Sequence, residues 1–461
     1  MNRIRSSTQY WRRCTVDLVI RLSSGFGGPP RATVSRARGN LGKLACGLGV
    51  ALALMLSMSV RAEDLPPALD GIDRETPADM TPAEEKLVYA LKDPMLQAMN
   101  VEQALEAWFA GREAFVRGKT RQAAQLWSDG LAELDGLERL PKAEWDEPPD
   151  CEFDILEPLH PAGFEDLTWR IVAWEVDGLR QYGVLVAPCS ARELEDADVP
   201  GEKAAPLLLY LHGAAFGVPV YALPWLGRIA RAGYIIIGPA LRGENLFAGA
   251  RSQDPLYELS RKYRSEGRIE NLDGEVNDAL GAVSASKKLP VVNDGPVGVI
   301  GHSFGAGVGL LVAARSKDVA CVVSYDAWLV NPFRYYWDRL RRGPNNWLSW
   351  AAYCTRPVSR QLAGLMTRSI THHAERIHAP LLLFIGGAYK GSVFHKSHDD
   401  FIRRLSKHGK DYEYNVVPGG GHNFVLYESS RPARTSFRRH MAFLRRHLPP
   451  AGEARQAATS Q

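Results

Sequence analysis

No grouping of cysteines and histidines at metal-site spacing occurs in this 461-residue sequence, which argues against a zinc module. Acids are almost missing from residues 1–62, where ten Lys and Arg stand against Asp17 alone. The rest of the chain holds 46 basic and 51 acidic residues, a mild acidity that makes nucleic acid an unexpected partner. The apolar run in the basic leader, Leu44 to Val60, has 17 residues, short of the roughly 20 that span a bilayer. With 45% hydrophobic and 23% charged residues, the composition excludes disorder, collagen and a multi-span membrane protein.

Lys43 precedes that run and Ser59-Val60-Arg61-Ala62 follows it, with small residues at the positions a signal peptidase reads. A basic region, an apolar core and a small-residue exit predict a signal peptide over residues 1–62, cleaved after Ala62, and a secreted or periplasmic protein. The alternative is a membrane anchor at residues 44–60. Four cysteines then remain: Cys151, Cys189, Cys321 and Cys354. Cys321 falls in a predicted strand as a core thiol, whereas Cys151 and Cys189 flank a strand-rich region and are candidates to pair. His372-His373 reads as a solvated pair on a loop, and Arg339, Arg341 and Arg342 as a solvated face.

Residues 63–140 read as helical, with Thr81 as an N-cap and Pro82 at the first helical position. Ala104, Trp108, Gly111, Ala114, Ala123, Trp127 and Gly130 alternate small and large residues much as one tetratricopeptide helical pair does. A single pair cannot form an array, so a hairpin packed on a neighbour, and a protein contact through this region, are the expectations. Residues 141–161 carry five prolines and read as a linker. From residue 162 to 448, short apolar runs alternate with helical segments, the pattern of a parallel sheet covered on both faces. Residues 449–461 read as a disordered tail.

Gly301-His302-Ser303-Phe304-Gly305 has the G-x-S-x-G form. The pentapeptide alone is a weak signal; its place between the apolar run Val297–Ile300 and a glycine-rich helix start makes it a nucleophile elbow. A dinucleotide loop would need another glycine three positions after Gly307, and there is none. Ser303 is inert until a base takes its proton. His422 follows the last strand in Gly419-Gly420-Gly421-His422, with chain order Ser, acid, His. His302 reads as a packed elbow residue pointing away from Ser303. The turn Gly386–Ser392 holds no carboxylate, which leaves Asp326, at the end of the preceding strand, as the acid. Asp399 and Asp400 are the alternative, though they read equally as the first turn of a helix. Ala214, after His212-Gly213, and Phe304 are the expected oxyanion donors through their backbone N–H groups. Residues 329–377 crowd Trp337, Trp347, Trp350 and four other aromatics into a cap insertion; Trp328 and Trp337 are expected to meet the substrate.

Residues 166–448 resemble the α/β-hydrolases. The run Gly301–Gly305, Asp326-Ala327-Trp328 and Gly421-His422-Asn423-Phe424 is similar to the secreted platelet-activating-factor acetylhydrolases, while Gly238–Gly243 and Gly274–Asp278 resemble the dienelactone-hydrolase and prolyl-oligopeptidase branches. The resemblance implies an α/β-hydrolase fold, with a small helical N-terminal region and an aromatic cap, and Ser303, Asp326 and His422 as nucleophile, acid and base. The expected activity is cleavage of an apolar carboxylic ester through an acyl-enzyme, without metal or cofactor. A peptidase or amidase with the same triad, and a binding protein on an inactive hydrolase shell, are the alternatives.

Overall fold

Nine strands form one sheet in the computed structural model, which describes residues 80–195, 205–213, 216–342, 357–426 and 430–450. The leader, the cleavage site at Ala62, Ala214, Trp347, Trp350, Cys354 and all but two residues of the expected tail lie outside these. The strands are β1 (Asp154–Pro158), β2 (Thr168–Val176), β3 (Leu179–Ala187), β4 (Leu207–Leu211), β5 (Ile235–Ala240), β6 (Val297–His302), β7 (Val319–Tyr325), β8 (Leu381–Gly386) and β9 (Tyr412–Val417). They lie in the order β1-β2-β3-β5-β4-β6-β7-β8-β9. The first three pair antiparallel and β3 runs antiparallel to β5; every later neighbour is parallel. This is the mostly parallel, doubly covered sheet of the α/β-hydrolase fold.

The strand sequences explain why the sheet is covered on both faces. Leu209, Val299, Val322 and Leu383 face one apolar cluster, and Leu208, Ile300, Val323 and Leu382 the opposite one. Strands β4, β5, β6 and β8 are buried along their whole length, so polar alternation is absent. Each such side chain taken from water stabilises the fold by about 1.5–3 kcal/mol. Helices α8 (Gly274–Lys287) and α9 (Phe304–Arg315) cover the first face, and α6 (Leu223–Arg231) and α13 (Arg431–His447) the second.

The N-terminal helices are α1 (Pro82–Ala90), α2 (Lys92–Leu96), α3 (Glu102–Val116) and α4 (Thr120–Ala132). Thr81 caps α1 through its hydroxyl, with Pro82 at the first helical position. α3 and α4 lie together as a pair, with the Trp127 indole N–H donating to the Trp108 carbonyl at 3.3 Å. α1 rests on helix α10 (Pro332–Arg342).

Several expectations change. The proline-rich stretch is not all linker, because β1 forms inside it and pairs with β2. Helix α12 (Val393–Lys407) begins at a Ser392 cap, so Asp399 and Asp400 fall mid-helix rather than in a first turn. Asp400 is buried between Arg334 and Arg403, with Asn331 donating to it at 2.8 Å. His372 and His373 are buried rather than solvated. Their ring nitrogens meet the Leu96 carbonyl at 3.1 Å and the Met366 carbonyl at 2.8 Å. Arg341 is buried too, over the Trp337 ring and 3.2 Å from Asp338. Cys151 and Cys189 are not joined; the Cys151 thiol donates to the Glu175 carbonyl instead.

Candidate active site

Ser303 sits between the last residue of β6 and the first of α9, with φ 54° and ψ −114°. A non-glycine residue there stores about 1–3 kcal/mol of strain, so its surroundings must hold it. They do so through the main chain. The Ser303 N–H donates to the Tyr325 carbonyl at 2.8 Å, and the Ser303 carbonyl accepts from Trp328 at 2.9 Å and Gly307 at 3.1 Å. The Gly305 N–H donates to the His212 carbonyl at 3.0 Å, fastening the helix start to the end of β4. That approach demands glycine: a Cβ at Gly305 would stand 2.3 Å from the Leu211 oxygen, and one at Gly301 would stand 2.5 Å from the Ala306 Cα. Phe304, as the first helical residue, has no intrahelical acceptor for its N–H.

The Ser303 Oγ lies 2.7 Å from the His422 Nε2, across 119 residues of sequence. The His422 Nδ1 lies 3.8 Å from the Asp326 Oδ2. Asp326 follows β7 in a left-handed conformation (φ 49°), is fully buried, and accepts the Gly386 N–H through Oδ1 at 2.6 Å. Burial pushes its carboxyl well above the ordinary range, opposed by the Gly386 N–H. Burial also drives the His422 pKa down to about 3, helped by His302 and His398. A neutral imidazole is the form that can accept the serine proton.

The three expected triad residues are thus brought to one place at the C-terminal ends of parallel strands. Trp328 joins them: its N–H holds the Ser303 carbonyl and its ring lies 5.7 Å from that of Phe304. Trp337 does not join this group. Its indole N–H donates to the Val88 carbonyl at 2.8 Å, and its ring meets Tyr89, Lys92 and Arg341, so it anchors the N-terminal helices to α10. Asp399 lies 3.6 Å from His395, and Asp400 serves the buried arginine already described. His212 is buried beside Glu244, 3.0 Å away. Tyr389 and His302 were not read from sequence as partners of His422. The Tyr389 hydroxyl accepts the His422 N–H at 2.8 Å, and the His302 Nε2 donates to the His422 carbonyl at 3.0 Å. The only sequence sign of Tyr389 is its place in the acid-free turn after β8.

A model of the prolyl oligopeptidase family matches residues 230–450, which include Ser303, Asp326 and His422. With the sheet order above, this supports a hydrolase of the α/β-hydrolase superfamily. Among solved structures, the acylaminoacyl peptidase of Pyrococcus horikoshii is 17% identical, over 64% of this chain and 42% of that one, with a TM-score of 0.43. Acetyl xylan esterase 1 from Thermoanaerobacterium is 17% identical over 59% and 83%, with a TM-score of 0.40. A Pyrococcus furiosus esterase is 15% identical over 66% and 98%, also at 0.40. This chain therefore spans under half of the acylaminoacyl peptidase. No curated protein matches it.

Proposed function

We propose that the chain is a serine hydrolase working through an acyl-enzyme, with Ser303 as nucleophile, His422 as base and Asp326 as the acid behind it. The observation that carries this is the 2.7 Å approach of the Ser303 Oγ to the His422 Nε2 on a strained strand-to-helix turn. The Ser303 oxygen attacks the scissile carbonyl while its proton passes to His422. The imidazolium so formed is stabilised by the Asp326 carboxylate; a closing of the 3.8 Å gap would make the contact a hydrogen bond. The developing oxyanion is held by the Phe304 N–H at the start of α9 and by the Ala214 N–H. The leaving group takes the proton from His422, and water then reverses the sequence on the acyl-enzyme.

For the bond cleaved, the family match favours an amide or peptide linkage in a short acyl-amine substrate. Ester cleavage is the second reading, favoured by the acid at the end of β7, directly after the nucleophile helix, as in the acetylhydrolases that the sequence resembles. Trp328, beside the nucleophile, offers an apolar wall to either. Export through the leader is part of the proposal. Turnover of aminoacyl anilides against p-nitrophenyl esters separates the two bonds. Ser303→Ala should abolish fluorophosphonate labelling and cut turnover by several orders of magnitude. Labelling that persists in the variant rejects Ser303 as nucleophile.

A further inference from the structure

The base is held by its own peptide group. Its N–H is taken by the Tyr389 hydroxyl, and its carbonyl by the ring of His302, the residue immediately before the nucleophile. A carbonyl can only accept, so the His302 proton is on Nε2 and its Nδ1 carries a lone pair. That Nδ1 edge stands against Gly213: a Cβ on Gly213 would come within 2.3 Å of it. Gly213 leads directly into Ala214, the proposed oxyanion donor. One buried ring is therefore wedged between Gly213 and the loop that carries the base. Burial pushes the His302 pKa down to about 4, which keeps this single-donor form through the neutral range.

We propose that His302 is a positioning residue: its Nε2–H fixes the His422 loop at hydrogen-bonding distance from Ser303, and its ring sets the spacing between that loop and Gly213. The inference rests on the reading of Ser303 and His422 as nucleophile and base. His302 acts through the main chain of His422, with the two rings 5.4 Å apart. A donor on a long enough side chain is what the position requires, and bulk alone does not meet it.

The test compares His302→Gln, His302→Asn and His302→Leu by the rate of fluorophosphonate labelling at Ser303, by kcat and KM on the best substrate found, and by thermal unfolding. Glutamine places an amide N–H at the reach of Nε2; asparagine is polar but too short, and leucine fills space without donating. The expected result is labelling within about 5-fold of the parent for glutamine, but about 100-fold slower for asparagine and leucine, since misplacement by about 1 Å costs that much. The loss should fall on kcat and leave KM nearly unchanged. Leucine labelling as fast as the parent, or glutamine falling as far as leucine, overturns the proposal in favour of simple packing. If the leucine variant does not fold, the glutamine–asparagine contrast decides the matter alone, and equal rates for those two overturn it. Failure of the parent itself to label at Ser303 rejects the nucleophile assignment instead, an outcome distinct from a labelled parent with indifferent variants.

Discussion

At Asp326 and His422, burial works on two groups in opposite senses. It raises the carboxyl, opposed by the Gly386 N–H, and lowers the imidazole, which stays neutral until it takes the serine proton. Asp326→Asn should keep the fold and lower turnover by roughly four orders of magnitude, because the imidazole loses its counter-charge and its tautomer preference. Asp400→Asn should do the reverse. It leaves buried Arg334 without its carboxylate, at a cost of about 3 kcal/mol, while turnover stays near the parent value. Urea unfolding and steady-state rates on both variants check this; a crippled Asp400→Asn enzyme of normal stability would exclude the Asp326 assignment. Ser303, Asp326 and His422 were legible because a strand end followed by a turn aims a side chain at a known rim. Tyr389 and His302 were not, since each acts on a main-chain group that only folding brings near.

At the scale of elements, the junction of β4, β6 and α9 is set by backbone distances that admit no extra atom. Gly305→Ala would force a methyl against the Leu211 and His212 oxygens, 2.3 and 2.4 Å away, and neither strand end can retreat without breaking the sheet. The variant should lose on the order of 2–4 kcal/mol and fail to label at Ser303. Gly421→Ala has open space and no left-handed φ, so its stability should remain within about 0.5 kcal/mol. Thermal and chemical unfolding of the pair measure the contrast, and similar losses in both would mean that the elbow is not sterically limited. The glycines of the elbow could be read from the motif. The helix start at Val393 could not, because Ser392 and Ser397 are both plausible caps; Ser392 wins as its hydroxyl meets the His395 N–H.

For the whole molecule, buried histidines govern the response to acid. His302, His373 and His398 are lowered to about 4, and His372, His422 and His440 to about 3, in each case chiefly by burial. With folded values below the unfolded value of about 6.5, each contributes stability that is complete above 6.5 and is lost as pH falls toward 4. Asp278, raised to about 6, opposes this by taking a proton in the folded state below pH 6, and Asp326 and Glu275, also raised by burial, act in the same opposing sense. Six groups against three leave a net uptake of protons on unfolding, so the urea midpoint should fall steadily between pH 6.5 and 4. A midpoint that rises over that range would contradict the burial of these rings. For the leader, N-terminal sequencing of material recovered from an exporting host should begin at Glu63; a membrane-bound species retaining residues before Lys43 would favour an anchor.

The sequence alone determined the alternation of strands and helices, the strand-to-helix turn at Ser303 and the chain order of Ser303, Asp326 and His422. Each of these is written in local periodicity, in glycine placement and in residue type at a strand end. It determined the helical N-terminal pair for the same reason. Only the tertiary structure decided which charges and rings are buried. His372, His373 and Arg341 look solvated in sequence, yet are buried: His372 meets the Leu96 carbonyl 276 residues away, while His373 and Arg341 find partners nearer by, at Met366 and Asp338, because a buried polar side chain is one whose hydrogen bonds the fold supplies. Trp337 was assigned to a pocket by its aromatic neighbours in sequence, yet the Val88 carbonyl, 249 residues away, takes its N–H. The 2.7 Å contact between Ser303 and His422 is of the same kind: both residues were identifiable, but their distance is a property of nine strands held in one order.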